Sequence, residues 1–386
     1  MGCSDAKKQD RLKSMSKREG KLRVGILFGG RSAEHDVSIT SAQCVLRAID
    51  GEKYEVVPIR ISRNGRWTVL PSPPRLDCLA ELGRLPGAAG VFSPLKEGGR
   101  LISPSDSTAA PAAPVDVVFP LLHGVCGEDG SVQGLLTLAG VAYVGAEVAA
   151  SALGMDKVLM KHVFQQAGLP VAPFWWIARR RWQDEPDAVA REVERRLGYP
   201  CFVKPANTGS SIGISKAHDR EELTEAFRQA ARLDLKILVE KAIDARELEC
   251  GVLGNDSPQA SVVGEVFPGH EFYDYEAKYG DEGTRIQIPA EIDPALAAKV
   301  QAQSVAAFQA IDACGLARVD FFLERRSHQL YVNEINTIPG FTPQSMFPRL
   351  WEAGGVAYPE LIDRLIELAL ERHEERQRTQ GYEENP

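Results

Sequence analysis

The sequence predicts an α/β protein of more than one domain, on three observations. The first ordered segment, Leu22 to Phe28, is an apolar run that ends at Gly29-Gly30 and passes into a helical pattern from Val37 to Ile49. A strand, a glycine turn and a helix in that order open an α/β domain, with the ligand crevice at the carboxyl end of the strand. Further strand-like runs follow at Tyr54 to Ile61, Val115 to Pro120, Pro200 to Pro205 and Lys236 to Ile243, with a helix from Asp156 to Ala167 among them. Finally, Arg318-Val319-Asp320 and Asn333-Glu334-Ile335-Asn336 alternate polar and apolar residues on either side of a polar turn from Glu324 to Gln329. That pattern suits a hairpin with one packed and one polar face. At 386 residues and 44% hydrophobic content the chain can fill two or three cores.

Composition narrows the function classes. A net charge of -8 argues against a nucleic-acid footprint. No apolar run approaches the roughly 20 residues of a membrane span, so the expectation is a cytoplasmic protein with no membrane partner. The seven cysteines are scattered without a CxxC pair, which disfavours zinc and a disulfide framework alike. Residues 1–20 are polar and basic with no hydrophobic core of a signal peptide, and are expected to be a disordered tail. Met1-Gly2-Cys3 invites a lipidation reading, but Ala6 stands where myristoylation wants Ser or Thr.

Along the chain, Glu34 and His35 follow the Gly29-Gly30 turn and sit at the crevice; the doublet is no G-x-G-x-x-G fingerprint, so a dinucleotide is disfavoured. The Pro/Gly/Ser-rich stretch from Pro71 to Pro114 reads as loops and short elements. His123-Gly124-Val125-Cys126-Gly127-Glu128-Asp129-Gly130 forms a second glycine-rich turn at a strand end, and His123 either touches a ligand there or only hydrogen-bonds the turn. Asp156 is placed to cap the helix that Gly168-Leu169-Pro170 ends.

The segment Ala206-Asn207-Thr208-Gly209-Ser210-Ser211-Ile212-Gly213-Ile214 links two strands, and its small N–H and O–H donors suit closure over phosphates. It contains no Walker motif. Lys204 just before it and Lys157 at a helix start would add point charges. Strand 236–243 breaks into a polar linker with Glu247 a few residues on, a place to meet adenine and ribose. On the hairpin, Asp320, Glu334 and Asn336 supply three hard oxygen ligands beside Arg318. Magnesium with nucleotide phosphates fits that set, and Arg318 is placed to hold an anion.

These blocks, together with Met155-Asp156-Lys157, Tyr273-Asp274-Tyr275-Glu276-Ala277-Lys278-Tyr279 and Asn333-Glu334-Ile335-Asn336-Thr337-Ile338-Pro339-Gly340-Phe341-Thr342, resemble the bacterial D-alanine-D-alanine ligases of the ATP-grasp superfamily. The likeness covers about residues 22 to 373, and the spacing of seven blocks makes it specific. It implies an ATP-grasp fold of three α/β domains, at 21–154, 155–242 and 243–374, between polar ends at 1–20 and 375–386. ATP would lie between the central and C-terminal domains.

Motif by motif, the resemblance implies Lys157 and Lys204 on the α and β phosphates, with Ser210 and Ser211 in the loop above them and Lys278 on the γ phosphate. Glu240, Lys241 and the backbone at Ile243 would hold adenine, Glu247 the ribose, and Asn333 would border the nucleotide. Asp320, Glu334 and Asn336 would bind two magnesium or manganese ions. Glu34 would orient the ammonium of the first D-alanine, with His123 nearby. Arg318 and the backbone of Gly340 would form the oxyanion site, and Ser345 with Met346 beside it would receive the carboxylate of the second D-alanine. Tyr273 to Tyr279 would be a lid locked through Glu34, Ser210 and Tyr279. Val125-Cys126 and Pro343-Gln344 are departures within variable positions. The implied product is D-alanyl-D-alanine for peptidoglycan synthesis, made through a D-alanyl phosphate by a homodimer. The rivals are a D-alanine-D-lactate ligase, another ATP-grasp carboxylate-amine ligase, and a nucleotide-binding module without catalysis.

Overall fold

A computed structural model describes residues 20–71, 82–84, 88–89, 91–92, 101–102, 114–268 and 284–379. The tail at 1–19 and the expected lid residues, Lys278 and Tyr279 included, lie outside the described residues.

The N-terminal sheet is built on β1 (Leu22–Gly29), which runs parallel to β2 (Tyr54–Ile61) on one side and to β7 (Val117–Leu121) on the other. Strands β3 (Trp67–Val69) and β4 (Ala88–Ala89) extend one edge antiparallel, and β8 (Ala142–Tyr143) extends the other in parallel. Strands β5 (Val91–Phe92) and β6 (Leu101–Ile102) pair separately. The apolar run of β1 is explained by burial on both faces, as a parallel central strand requires. Val24, Ile26 and Phe28 enter one core cluster while Leu27 enters the other. Helices α1 (His35–Ala48) and α2 (Ser131–Leu138) accompany this sheet, whereas α3 (Val148–Met155) sends Ala150 into the core of the third sheet described below.

The second sheet is antiparallel, in the order β11 (Ser215–Ala217), β10 (Cys201–Pro205), β12 (Lys236–Lys241), β9 (Phe174–Ala178). Helix α4 (Lys157–Gln166) sets Val158 against Ala206 and Leu238 of this unit but Met160 and Phe164 in the core of the third sheet, while α5 (Arg179–Asp184), α6 (Pro186–Arg196) and α7 (Arg220–Leu233) accompany the second sheet. Leu223, Ala226, Phe227 and Ala230 recur at helical spacing on α7 and are its buried stripe. Asp156 caps α4 as its position predicts, accepting from the backbone N–H groups of Val158 and Leu159 at 3.0 and 3.1 Å.

The third sheet runs β15 (Arg285–Gln287), β14 (Gln259–Phe267), β13 (Ala245–Gly254), β16 (Gly315–Glu324), β17 (Leu330–Asn336), all antiparallel. Helix α8 (Pro294–Ala310) joins its core, where Val319, Phe321 and Leu323 point inward while Arg318 and Asp320 stay on the opposite face. Helices α9 (Met346–Ala353) and α10 (Tyr358–Thr379) then return to the first sheet. Phe341, Phe347, Trp351 and Leu361 share one core cluster with Val24, Ile26 and Phe119, and the Phe119 and Phe341 rings meet edge-on at 5.4 Å. Chain ends far apart in sequence therefore close on one core.

Two local expectations change. Glu247 lies within β13 rather than in a linker, because the break after β12 is only residues 242–244. Helix α10 continues to Thr379, through the start of the expected polar end. Among the described residues no helix is long and apolar enough to cross a membrane.

Candidate active site

The Gly29-Gly30 turn places Glu34 at the N-cap position of α1, where acidic side chains ordinarily accept the first backbone N–H groups. Glu34 makes no such cap. Its carboxylate, 5% exposed, accepts instead the hydroxyl of Ser210 from the loop between β10 and β11. Gly209 and Gly124 border the same carboxylate so closely that a Cβ on either would lie 3.1 or 2.9 Å from Glu34 Oε2. Gly124 also has φ 73°, a conformation other residues resist. Ser210 and Ser211 both hold the left-handed region at φ 48° and 58°, strain that the surrounding contacts must enforce.

His123 is buried in this corner, its Nδ1 3.2 Å from the carbonyl of Ile338. That contact makes Nδ1 the proton carrier and leaves Nε2 buried and unpartnered among the described residues. Burial lowers the ring's proton affinity against the opposing Glu34 carboxylate and Ile338 carbonyl. Beside it, half-buried Glu128 accepts from the Gly124 N–H at 2.7 Å. Burial first, then the Glu34 charge, push its carboxyl up to about 8 despite the Gly124 N–H and Lys157. The corner can thus offer an ammonium the Glu34 carboxylate, with a Glu128 carboxyl beside it that is held largely protonated near neutral pH.

The second corner is cationic. Lys157 opens α4 and donates to the Thr208 carbonyl at 2.6 Å, so its ammonium lies under the glycine-serine loop. Lys204, at 7% exposure, pairs with Glu240 at 2.6 Å across neighbouring strands β10 and β12. Glu240 is 1% exposed, and its other oxygen meets Lys161 at 2.5 Å. Burial alone would lift the Glu240 carboxyl, but the two lysines outweigh it and hold it below the usual range. Lys241 is exposed and Ile243 half-buried on the connection from β12 to β13, and Glu247 points from β13.

The third corner is the β16–β17 hairpin, which pairs Arg318 with Asn336 and Asp320 with Glu334. Arg318 engages Asp320 bidentately, at 2.7 Å for both contacts, and meets Glu249 of β13 at 2.8 Å. Asn336 donates to Asp320 Oδ2 at 3.1 Å. The candidate ligand set is two carboxylates and an amide; among the described residues no group of three His, Cys, Asp or Glu is placed to hold a metal. Both oxygens of Asp320 are thus engaged in this arrangement, by the Arg318 guanidinium and the Asn336 amide. Asn333 and Glu334 are half-buried on β17.

After β17 the chain carries Gly340 to Ser345, whose Oγ accepts from the Thr342 N–H at 3.1 Å and lies 2.9 Å from the Thr342 hydroxyl. A Cβ on Gly340 would come within 3.0 Å of Ser345 Oγ, so the two expected substrate contacts are adjacent. The Met346 side chain packs in a core cluster with Val266 and Leu350.

Models of the D-ala D-ala ligase N-terminus and C-terminus match residues 23–146 and 163–367. The chain belongs to the D-alanine-D-alanine ligase family. The "D-alanine--D-alanine ligase" of Bacillus cytotoxicus is 49% identical over 358 residues, 93% of this chain and 98% of the relative. That of Heliobacterium modesticaldum is 50% identical over 358 residues, 93% and 97%. Among solved structures, the D-alanine-D-alanine ligase from Coxiella burnetii superposes with TM-score 0.81 at 35% identity, covering 93% of this chain and 97% of that one. The VanG D-Ala:D-Ser ligase of Enterococcus faecalis gives 0.80 at 32%, covering 91% and 100%. These neighbours carry the ATP-grasp fold, which is the fold of this chain.

Within this ligase, the sequence reading passed over three charged residues. Lys161 lies four residues after Lys157 and so on the same helix face, and Glu249 lies two after Glu247 and so on the same strand face. Those periodicities were the available signals. Glu128 carried none beyond membership of its glycine-rich turn.

Proposed function

We propose that this chain is an ATP-dependent ligase that joins two D-alanines into D-alanyl-D-alanine for peptidoglycan precursors. The observation that carries the reading is the meeting of Glu34, His123 and Ser210 in one buried corner from segments far apart in sequence. A carboxylate is a poor acyl donor, so the first D-alanine is activated by transfer of the γ-phosphoryl group of ATP to its carboxylate. Glu34 holds the ammonium of that D-alanine, while Lys157 and Lys204 with the Ser210-Ser211 loop hold nucleotide phosphates, joined from the lid by Lys278. The second D-alanine, its own carboxylate at Ser345, attacks the acyl phosphate as the free amine after its ammonium gives up a proton, and the nitrogen sheds a second proton as the amide forms. Arg318 and the Gly340 N–H stabilise the oxyanion, which collapses by expelling phosphate.

Magnesium or manganese, as two ions, fits the hard oxygen donors Asp320, Glu334 and Asn336 and would neutralise phosphate charge there. Lid residue Tyr279 with Ser210 and Glu34 would exclude water from the acyl phosphate. Domain limits near 154 and 242, a cytoplasmic location and a homodimer complete the proposal; sedimentation velocity measures the last.

Mass spectrometry of the product with D-alanine, D-serine and D-lactate in competition tests the substrate. D-alanyl-D-alanine is expected to dominate, with no product once magnesium is chelated. A predominant D-alanyl-D-serine or D-alanyl-D-lactate would replace the second-substrate assignment.

A further inference from the structure

Three carboxylates stand in one register row across the third sheet. Glu249 of β13 pairs with Asp320 of β16, which pairs with Glu334 of β17. Residues directly opposite one another in antiparallel strands share a face, so all three project from the same side. Arg318 is two residues along on that face, opposite Gly251 and Asn336. Its guanidinium meets Asp320 at 2.7 Å and Glu249 at 2.8 Å.

The carboxylates differ in setting. Asp320 and Glu334 are half-buried, whereas Glu249 is 4% exposed. Two glycines account for that burial. A Cβ on Gly251 would lie 2.9 Å from Trp351 Nε1, and one on Gly264, opposite Glu249, would lie 2.9 Å from Leu350 Cδ2. Helix α9 therefore comes down onto β13 and β14 beside Glu249 and walls it off from solvent. In such surroundings a charge contact is strong, and a carboxylate that loses its cation is costly. Among the described residues no three His, Cys, Asp or Glu are placed to hold a metal, so Glu249 stands apart from the proposed ligands Asp320, Glu334 and Asn336.

We propose that Glu249 is a positioning residue for Arg318. It keeps hold of the guanidinium when Asp320 shares its charge with magnesium, so that the donor fork stays aimed at the acyl phosphate and then the oxyanion. The inference rests on the proposed reading of Asp320 as a metal ligand and Arg318 as an oxyanion donor.

Glu249→Gln keeps the side chain's size and leaves Arg318 ion-paired with Asp320, so guanidinium and cation then compete for one carboxylate. Its kcat for dipeptide formation should fall about 10- to 100-fold, the range seen when the partner that orients a metal-site group is removed. The magnesium concentration giving half-maximal rate should rise. Titration calorimetry of the full chain with ATP, in the absence of magnesium, should give an affinity within a few-fold of wild type. A double-mutant cycle reads the coupling: Arg318→Ala/Glu249→Gln should turn over no more slowly than Arg318→Ala, because Glu249 acts through the residue already removed. Glu249→Asp keeps the charge on a stem one methylene shorter and should show a smaller loss of the same kind; it supplies the reading if circular dichroism finds Glu249→Gln unfolded. Normal turnover in both Glu249 variants, or losses that multiply in the double variant, would overturn the inference and make Glu249 a structural charge only. Wild-type protein that forms no dipeptide, or Arg318→Ala with full turnover, would instead remove the functional reading, and this inference with it.

Discussion

Arg318 illustrates how one residue takes opposite partners at different stages. Without ligand its guanidinium is held by Asp320 and Glu249; an oxyanion at the same place would compete for the same donors, whose planar fork suits carboxylate and phosphate oxygens. Arg318→Ala should lower turnover by about 100- to 1000-fold, the usual cost of removing an oxyanion donor, with a much smaller effect on ATP affinity. Equal losses in steady-state turnover and in nucleotide binding would assign Arg318 to ground-state phosphate binding. Glu128 provides a pH test. Its carboxyl is raised from 4.5 to about 8 in the folded chain, so the folded state binds the proton more tightly than the unfolded state. That contribution to stability is complete below about pH 4.5 and is lost as pH rises through about 8. Denaturant unfolding of wild type and Glu128→Gln should therefore show the variant gaining on wild type between pH 5 and pH 8.5, on the order of one to a few kcal/mol after discounting for partial exposure. A difference independent of pH would show that Glu128 is ionised throughout.

At the scale of elements, the glycine-serine loop and the His123 turn act as a clasp between two sheets. Gly124 allows it, having a left-handed backbone and no Cβ to strike Glu34. Gly124→Ala adds a methyl 2.9 Å from Glu34 Oε2 and a conformational cost of about 1–2 kcal/mol. The KM for D-alanine should rise about tenfold, a cost of that size expressed as affinity, while ATP binding changes little; initial-rate kinetics with each substrate varied separates the two. Parallel rises in both constants would argue that the clasp is only structural. What was legible in the sequence follows the same divide between local and distant causes. The β16–β17 hairpin could be read because alternation with period two is local, and α4 because Asp156 caps it within three residues. The placement of Glu247 was misread because β13 lacks a clear alternation, its later residues being buried on both faces. The His123 contact with Ile338 spans 215 residues, and nothing within either segment announces it.

Across the whole molecule, the return of α9 and α10 to the first sheet decides where the chemistry is assembled. Phe341 packs on Phe119, and the Tyr358 hydroxyl donates to the Phe341 carbonyl at 2.7 Å, so the segment from Gly340 to Ser345 is fixed beside β7, the strand that leads into the His123 turn. The loop after β10 joins the two corners: its Ser210 hydroxyl donates to Glu34 and its Thr208 carbonyl accepts from Lys157, which on the proposed reading sets the first D-alanine beside the nucleotide phosphates. Activation by phosphorylation is the central claim, and it leaves an isotopic record. D-Alanine with both carboxylate oxygens replaced by oxygen-18, incubated with ATP, magnesium and the full chain, should pass one labelled oxygen to inorganic phosphate and keep the other in the peptide carbonyl. Phosphate released without the label, or label found in AMP, would contradict a D-alanyl phosphate intermediate.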